Sequence, residues 1–132
     1  MKKESENWLK IAKNDLKVAE SLFKAGLYMN VIEHSHAALE KLLKGIIVDQ
    51  NNENPPKIHN LLRLVSLTLI DNVGKDLKNT FEDLDDMYFS VRYPQDFDFV
   101  EATLSGEKVS KIDRSVICFT SFLMIAPLDL VD

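Results

Sequence analysis

His34-Ser35-His36-Ala37-Ala38-Leu39-Glu40-Lys41-Leu42-Leu43-Lys44 sits inside a helical pattern that runs from about Tyr28 to Val48. Ser35, Leu39, Leu42 and Ile46 recur at helical spacing, and Val31, Ile32, Ala38 and Leu43 widen the apolar stripe. Glu33, His36, Glu40 and Lys44 follow at intervals of three, four and four, which aligns them along a second side. Imidazole, carboxylate and ammonium groups on one helix row can form a hydrogen-bonded strip. Such a strip is a site if it borders a groove and an ordinary solvated face if it does not.

The segments on either side repeat the helical rhythm. Upstream, Ser5 is a candidate N-cap after a charged, frayed start. Leu9, Ala12, Leu16, Ala19 and Phe23 then form a seam that ends near Ala25, with Gly26 as the stop. The short link to the next helix predicts an antiparallel hairpin. Downstream, 49–57 reads as a loop, because Asn51, Asn52, Asn54, Pro55 and Pro56 supply turn chemistry. A third helix is expected from about His59 to Leu69 and is broken by Asp71-Asn72-Val73-Gly74.

The fourth helix spans roughly Lys75 to Tyr93, closed by Pro94. Leu77, Phe81, Leu84, Tyr88 and Val91 form its seam, and Glu82, Asp83, Asp85 and Asp86 give it an acidic outer side. Gln95 to Gly106 reads as a loop. A fifth helix starts at Ser105 or Gly106 and runs to Ala126, closed by Pro127. Val109, Ile112, Val116, Phe119 and Leu123 are its seam. Its run from Val116 to Met124 leaves almost no polar side, so it is expected to be buried all round, with Cys118 a small buried hydrophobe. In so small a protein that points to a homodimer, with Phe97, Phe99, Phe119 and Phe122 divided between core and subunit interface. The result is one domain over residues 1–132, an all-α, up-and-down bundle of four to five helices.

Bulk composition agrees with that class. The chain has 132 residues, 45% hydrophobic and 28% charged, with four glycines and four prolines. A chain of this length buries roughly two-thirds of its unfolded surface. The net charge of −5 weakens a nucleic-acid reading without removing it, because a local patch matters more than the total. A single cysteine excludes an intrachain disulfide. The N-terminal residues lack the apolar run of a signal peptide, and Val116 to Leu128 is short of the roughly 20 residues needed to span a bilayer. A cytoplasmic protein without membrane association is expected.

Four pieces of the chain resemble motifs of the HEPN domain family, the nucleotide-binding domain of higher eukaryotes and prokaryotes. Ala38-Leu39-Glu40-Lys41-Leu42-Leu43-Lys44 is similar to its second-helix signature, Ala-x-Glu-Lys-x-x-Lys after a run of small residues and glutamines. Here His36 and Ala37 stand where glutamines are frequent. Asp15-Leu16 resembles an Asp-Leu pair in the first helix, Ile58-His59-Asn60-Leu61 the Thr-His-Asp-Leu opening of the third, and Arg92-Tyr93-Pro94 the Arg-Tyr-Pro end of the fourth. The four occur in the family's order and cover nearly the whole chain.

The resemblance implies a helical bundle, usually homodimeric, associated with nucleotide or RNA biology. Some relatives are ribonucleases, toxin components above all, and others are partners of small nucleotidyltransferases. The nuclease members carry an arginine followed, after four to six residues, by a histidine. No such histidine follows Arg63, Arg92 or Arg114.

The leading expectation is therefore a non-catalytic dimeric module that binds a nucleotide or pairs with a small nucleotidyltransferase, in the manner of toxin–antitoxin pairs. Its groove would be built from Asp15, His36, Glu40, Lys44, His59, Arg92 and Tyr93. Lys44 and Arg92 would meet phosphate, and His36 and His59 would donate or accept hydrogen bonds. Two alternatives stay open: a metal-independent ribonuclease using Arg92 with His36 or His59, and a dimeric scaffold without a ligand site. His36 and Glu40 are spaced to pair, and Arg92 is expected to form a structural ion pair with Glu40 or Asp15. His34 and Glu33 read as surface residues. His36, Glu40 and His59 could supply three metal ligands. The Glu-x-x-His pattern of bundle metal sites occurs only once, at Glu33–His36, so no metal and no cofactor are expected.

Overall fold

The computed structural model describes residues 2–52, 54–70, 73–93 and 95–125, with side chains as far as Ser121. Among these residues the chain forms six helices and no strand: α1 (Lys3–Lys24), α2 (Tyr28–Asn51), α3 (Leu61–Ser66), α4 (Lys75–Arg92), α5 (Phe97–Thr103) and α6 (Gly106–Ile125). The expected all-α bundle is the observed fold. The expected end of the last helix at Ala126 and Pro127 lies outside the described residues, as do Asp71, Asn72, Pro94 and the side chains of Phe122, Leu123 and Met124.

The hairpin of α1 and α2 is the foundation. Gly26 takes φ +75°, Leu27 N donates to Leu22 O at 3.0 Å, and Gly26 N donates to Phe23 O at 3.0 Å. This pair of bonds closes α1 with a left-handed residue at the position glycine tolerates best. At the other end of the hairpin α1 and α2 approach closely. A Cβ on Gly45 would lie 2.8 Å from the Trp8 Cβ, so only a residue without a side chain fits there.

Ser5 does not cap α1. It lies buried inside the helix, whose cap residue is Lys2. Nor is the chain frayed from Lys2 onward. Lys2 N donates to Asp49 Oδ1 at 3.0 Å, and Lys2 Nζ donates to the Val48 and Asp49 carbonyls at 3.0 and 3.2 Å. A cation at the α2 C-terminus complements the negative end of the helix dipole, and on Val48 O it shares the acceptor with Asn52 N. Val48 and Asp49 belong to α2, which runs three residues past the expected end at Val48 and closes on Asn52 with φ 56°.

α2 packs against α1, α3, α4 and α6. Val31, Ile32, Ala38, Leu39, Leu42, Leu43, Ile46, Ile47 and Val48 are all buried. Phe81 and Leu84 of α4 and Val109, Ile112, Val116 and Phe119 of α6 complete the core, with Phe81 edge-on to Phe119 at 5.1 Å between ring centroids.

Three further expectations are corrected. α3 is six residues long and starts at Leu61, not His59. Asn60 caps it by accepting from Arg63 N at 2.9 Å, while Ser66 and Thr68 hydroxyls donate to the Arg63 and Val65 carbonyls at 2.6 and 2.7 Å and compete with continued helix. The supposed loop at Gln95 to Gly106 contains α5, started by Asp96, which accepts from Phe99 N at 3.1 Å. α6 is not buried all round within one chain. Ile117 is 40% exposed and Cys118 is exposed, on the side turned away from Val116 and Phe119.

Candidate functional site

The polar row of α2 faces α4 and the segment between α2 and α3. His36 is 1% exposed, and its Nε2 lies 2.9 Å from Asp85 Oδ1. The two Asp85 oxygens also accept from Leu61 N, at 3.0 and 3.1 Å. A carboxylate offers only acceptors, so His36 carries its proton on Nε2 and donates. The Tyr88 ring stacks on the imidazole with centroids 3.9 Å apart and planes 7° from parallel. His36 Nδ1 is buried with no hydrogen-bond partner among the described residues. The imidazole thus ties α2, α3 and α4 together and has no route to solvent.

One turn on, Glu40 divides its oxygens between two partners of different reach. Oε1 lies 2.8 Å from His59 Nδ1 and Oε2 lies 3.4 Å from Lys44 Nζ. Glu40 and Lys44 are mostly covered, whereas His59 is well exposed. His36 and Glu40 therefore do not pair with each other, although their spacing allows it. His36 is drawn to Asp85 of α4, and Glu40 to His59, which the segment leading into α3 supplies.

Asp15 stands apart from this groove, on the seam between α1 and α2. Lys41 Nζ donates to its Oδ2 at 2.7 Å, and His34 Nδ1 lies 3.4 Å from its Oδ1. His34 is accordingly half-buried rather than a free surface residue, while Glu33 is exposed as expected. Asp15 is thus placed outside the expected groove.

Arg92 ends α4 in solvent. Its guanidinium donates to the Tyr88 hydroxyl, and Cζ lies 5.4 Å from the Tyr88 ring centroid and 5.7 Å from that of Tyr93. The expected ion pair with Glu40 or Asp15 does not form, since both carboxylates already have partners. The hydrogen bond to Tyr88 is the main cause that raises the Arg92 pKa above its ordinary value, with the electrostatic influence of Tyr88 and Tyr93 adding to it. Tyr88 thus bears His36 on its ring face and Arg92 on its hydroxyl.

The fold therefore links His36, Arg92 and Tyr93 through Tyr88 of α4, and gathers Glu40, Lys44 and His59 into a second cluster one turn along α2. The organising residues missed in the sequence are Asp85 and Tyr88. The signal for Asp85 was its register: it lies four residues after Phe81 and three before Tyr88, hence on the inner side of α4 and not among its solvated acids.

The family model described as HEPN domain matches residues 5–121. The chain belongs to the HEPN domain family. Comparison with curated proteins and with solved structures finds no match.

This HEPN bundle has a shallow cleft of about 530 Å³ beside the Arg92 end of α4, between the α1–α2 turn and α5. Tyr28, Met29, Glu33, Val91 and Phe97 line it, and Arg92 follows Val91 directly. That volume falls in the range of small-molecule sites. Among the described residues no three His, Cys, Asp or Glu side chains are grouped to hold a metal ion, and no helix is long and apolar enough to cross a membrane.

Proposed function

We propose that this HEPN chain is a non-catalytic module that binds a nucleotide at the Arg92 end of α4. It would act as a homodimer or with a partner such as a small nucleotidyltransferase, in a pairing of the toxin–antitoxin kind. The observation that carries the reading is the setting of Arg92. An exposed guanidinium, held as a permanent cation against Tyr88, stands beside the cleft that Phe97 lines. Guanidinium groups recognise phosphate through paired donors, and exposed aromatic faces accept bases by stacking. Tyr93 is 62% exposed and Phe97 56%, so both rings reach solvent.

The non-catalytic part of the reading is supported by the histidines. A general base must reach the proton it removes, directly or through one water. His36 is sealed behind Asp85 and Tyr88, and the exposed His59 is engaged by Glu40 while Arg92 is engaged by Tyr88, so neither histidine is paired with Arg92. The homodimer is supported by apolar side chains left open on three helices: Phe89 of α4, Phe99 of α5 and Ile117 of α6.

Native mass spectrometry of the protein purified gently from its own cells tests this reading. A dimer carrying a nucleotide-sized adduct, or a complex with a nucleotidyltransferase-sized partner, is the expected result. A bare monomer would overturn it.

A further inference from the structure

α1 carries a lysine every seventh residue, at Lys3, Lys10, Lys17 and Lys24. Between them, on the same helical row, stand Asn7, Asn14 and Ser21. Seven residues make nearly two helical turns, so these positions line up along one side of the helix. All seven are exposed. The row itself contains no acidic residue, and the stripe beside it carries Glu6, Lys13 and Glu20. Lys24 is the one member with an ion-pair partner among the described residues, Glu20 at 3.5 Å, and that pair is wide open to solvent.

We infer that this row is a binding face for the phosphate backbone of a nucleic acid, separate from the Arg92 site. Successive lysines are about 10 Å apart and the row is roughly 30 Å long. That length approaches the about 34 Å of one duplex turn. Lysine ammonium groups neutralise phosphates, and asparagine and serine side chains add neutral donors of the kind that bind phosphate oxygens. No aromatic side chain interrupts the row, so the face reads backbone and not base sequence.

The rest of the charge distribution favours the same occupant. The chain is net −5, and α1 carries exposed Glu4 and Glu20 off the lysine row, while most of the other exposed acids lie on α4 and α5, at Asp76, Glu82, Asp83, Asp86, Asp98 and Glu101. α2 packs against both α1 and α4, which share no substantial packing with each other. A polyanion approaching α1 is therefore kept from most of the acidic groups by the body of the bundle. A bilayer surface fits less well, because the apolar side of α1 is already buried on α2 and an interfacial helix needs that side for the membrane.

The test is fluorescence anisotropy of the full chain with a fluorescein-labelled RNA, as single strand and as duplex, over a range of salt. Lys10→Glu with Lys17→Glu is compared with Lys108→Glu with Lys111→Glu, two exposed lysines of α6 that change net charge equally. The α1 pair is expected to weaken binding at least tenfold and to lower the salt slope by about one per lysine lost, while the α6 pair changes it little. Equal loss in both pairs, no binding of either RNA by the unmodified chain, or preference for phosphatidylserine vesicles would each overturn the inference. Arg92→Ala is measured alongside and reports on the α4 site alone, so the two sites stand or fall separately.

Discussion

His36 and Asp85 form the joint on which the candidate site rests, Nε2 to Oδ1 at 2.9 Å, with the histidine buried. The two residues come from α2 and α4, and Asp85 also accepts from Leu61 N at the start of α3. One carboxylate therefore satisfies a buried imidazole donor and a backbone amide together.

The two ends of this joint are unequal. Asp85→Ala strands two donors, and is expected to cost about 2–4 kcal/mol of stability. His36→Phe keeps a ring against Tyr88 and leaves Asp85 its bond to Leu61, so about 1–2 kcal/mol is expected. Urea denaturation of both variants checks the order. An equal or reversed order would mean that Asp85 is not the hub.

Much of this was legible in the sequence, and the failures have physical causes. α2 announced itself because its buried side runs through 24 residues, and Gly26 announced the hairpin turn by its chemistry. α5 escaped because none of its seven residues is buried, which leaves no apolar rhythm, and its one signal was Asp96 as a cap. Asp85 escaped because five residues from Glu82 to Asp86 contain four acids, which read as a single face. A helix turns about 100° per residue, so adjacent acids point in different directions and one of them reached the core. Arg92 was found, but its partner was not, because Tyr88 reads as one more apolar seam residue until its hydroxyl is placed.

Gly45 is a packing requirement. Alanine there gains about 1 kcal/mol of helix propensity, but its methyl would stand 2.8 Å from the Trp8 Cβ, an atom that cannot move without its backbone. Overpacking of that kind typically costs about 1–3 kcal/mol. Gly45→Ala should be less stable than the unmodified protein in chemical denaturation. A more stable variant would show that α1 and α2 can separate at no cost.

Asp113 of α6 gives the fold a pH dependence. Burial, with Glu20 adding its negative charge, raises the carboxyl pKa above the ordinary value. A raised folded pKa means that the folded state holds its proton more tightly than the unfolded one. The contribution of Asp113 to stability is thus fully present below the ordinary aspartate pKa and is lost as pH rises through the higher folded value. At neutral pH the ionised group opposes folding, so Asp113→Asn should stabilise the protein at pH 7 and lose that advantage in acid. Denaturation midpoints at both pH values check it. An advantage independent of pH would contradict the account.

Sealing of His36 has a chemical consequence as well. Incubated with labelled RNA, the purified chain is expected to leave it intact. Cleavage that disappears in His36→Phe or His59→Ala would contradict the non-catalytic reading, provided the variant remains folded.

The most direct measurement for the nucleotide-binding proposal is titration of the unmodified chain and of Arg92→Ala with a fluorescent ATP analogue. Arg92 is exposed, so its removal should leave stability within about 0.5 kcal/mol. Loss of a charge-assisted phosphate contact should weaken binding about tenfold or more. Binding that is unchanged in Arg92→Ala, or absent from the unmodified chain, would contradict the placement of a nucleotide site at the end of α4.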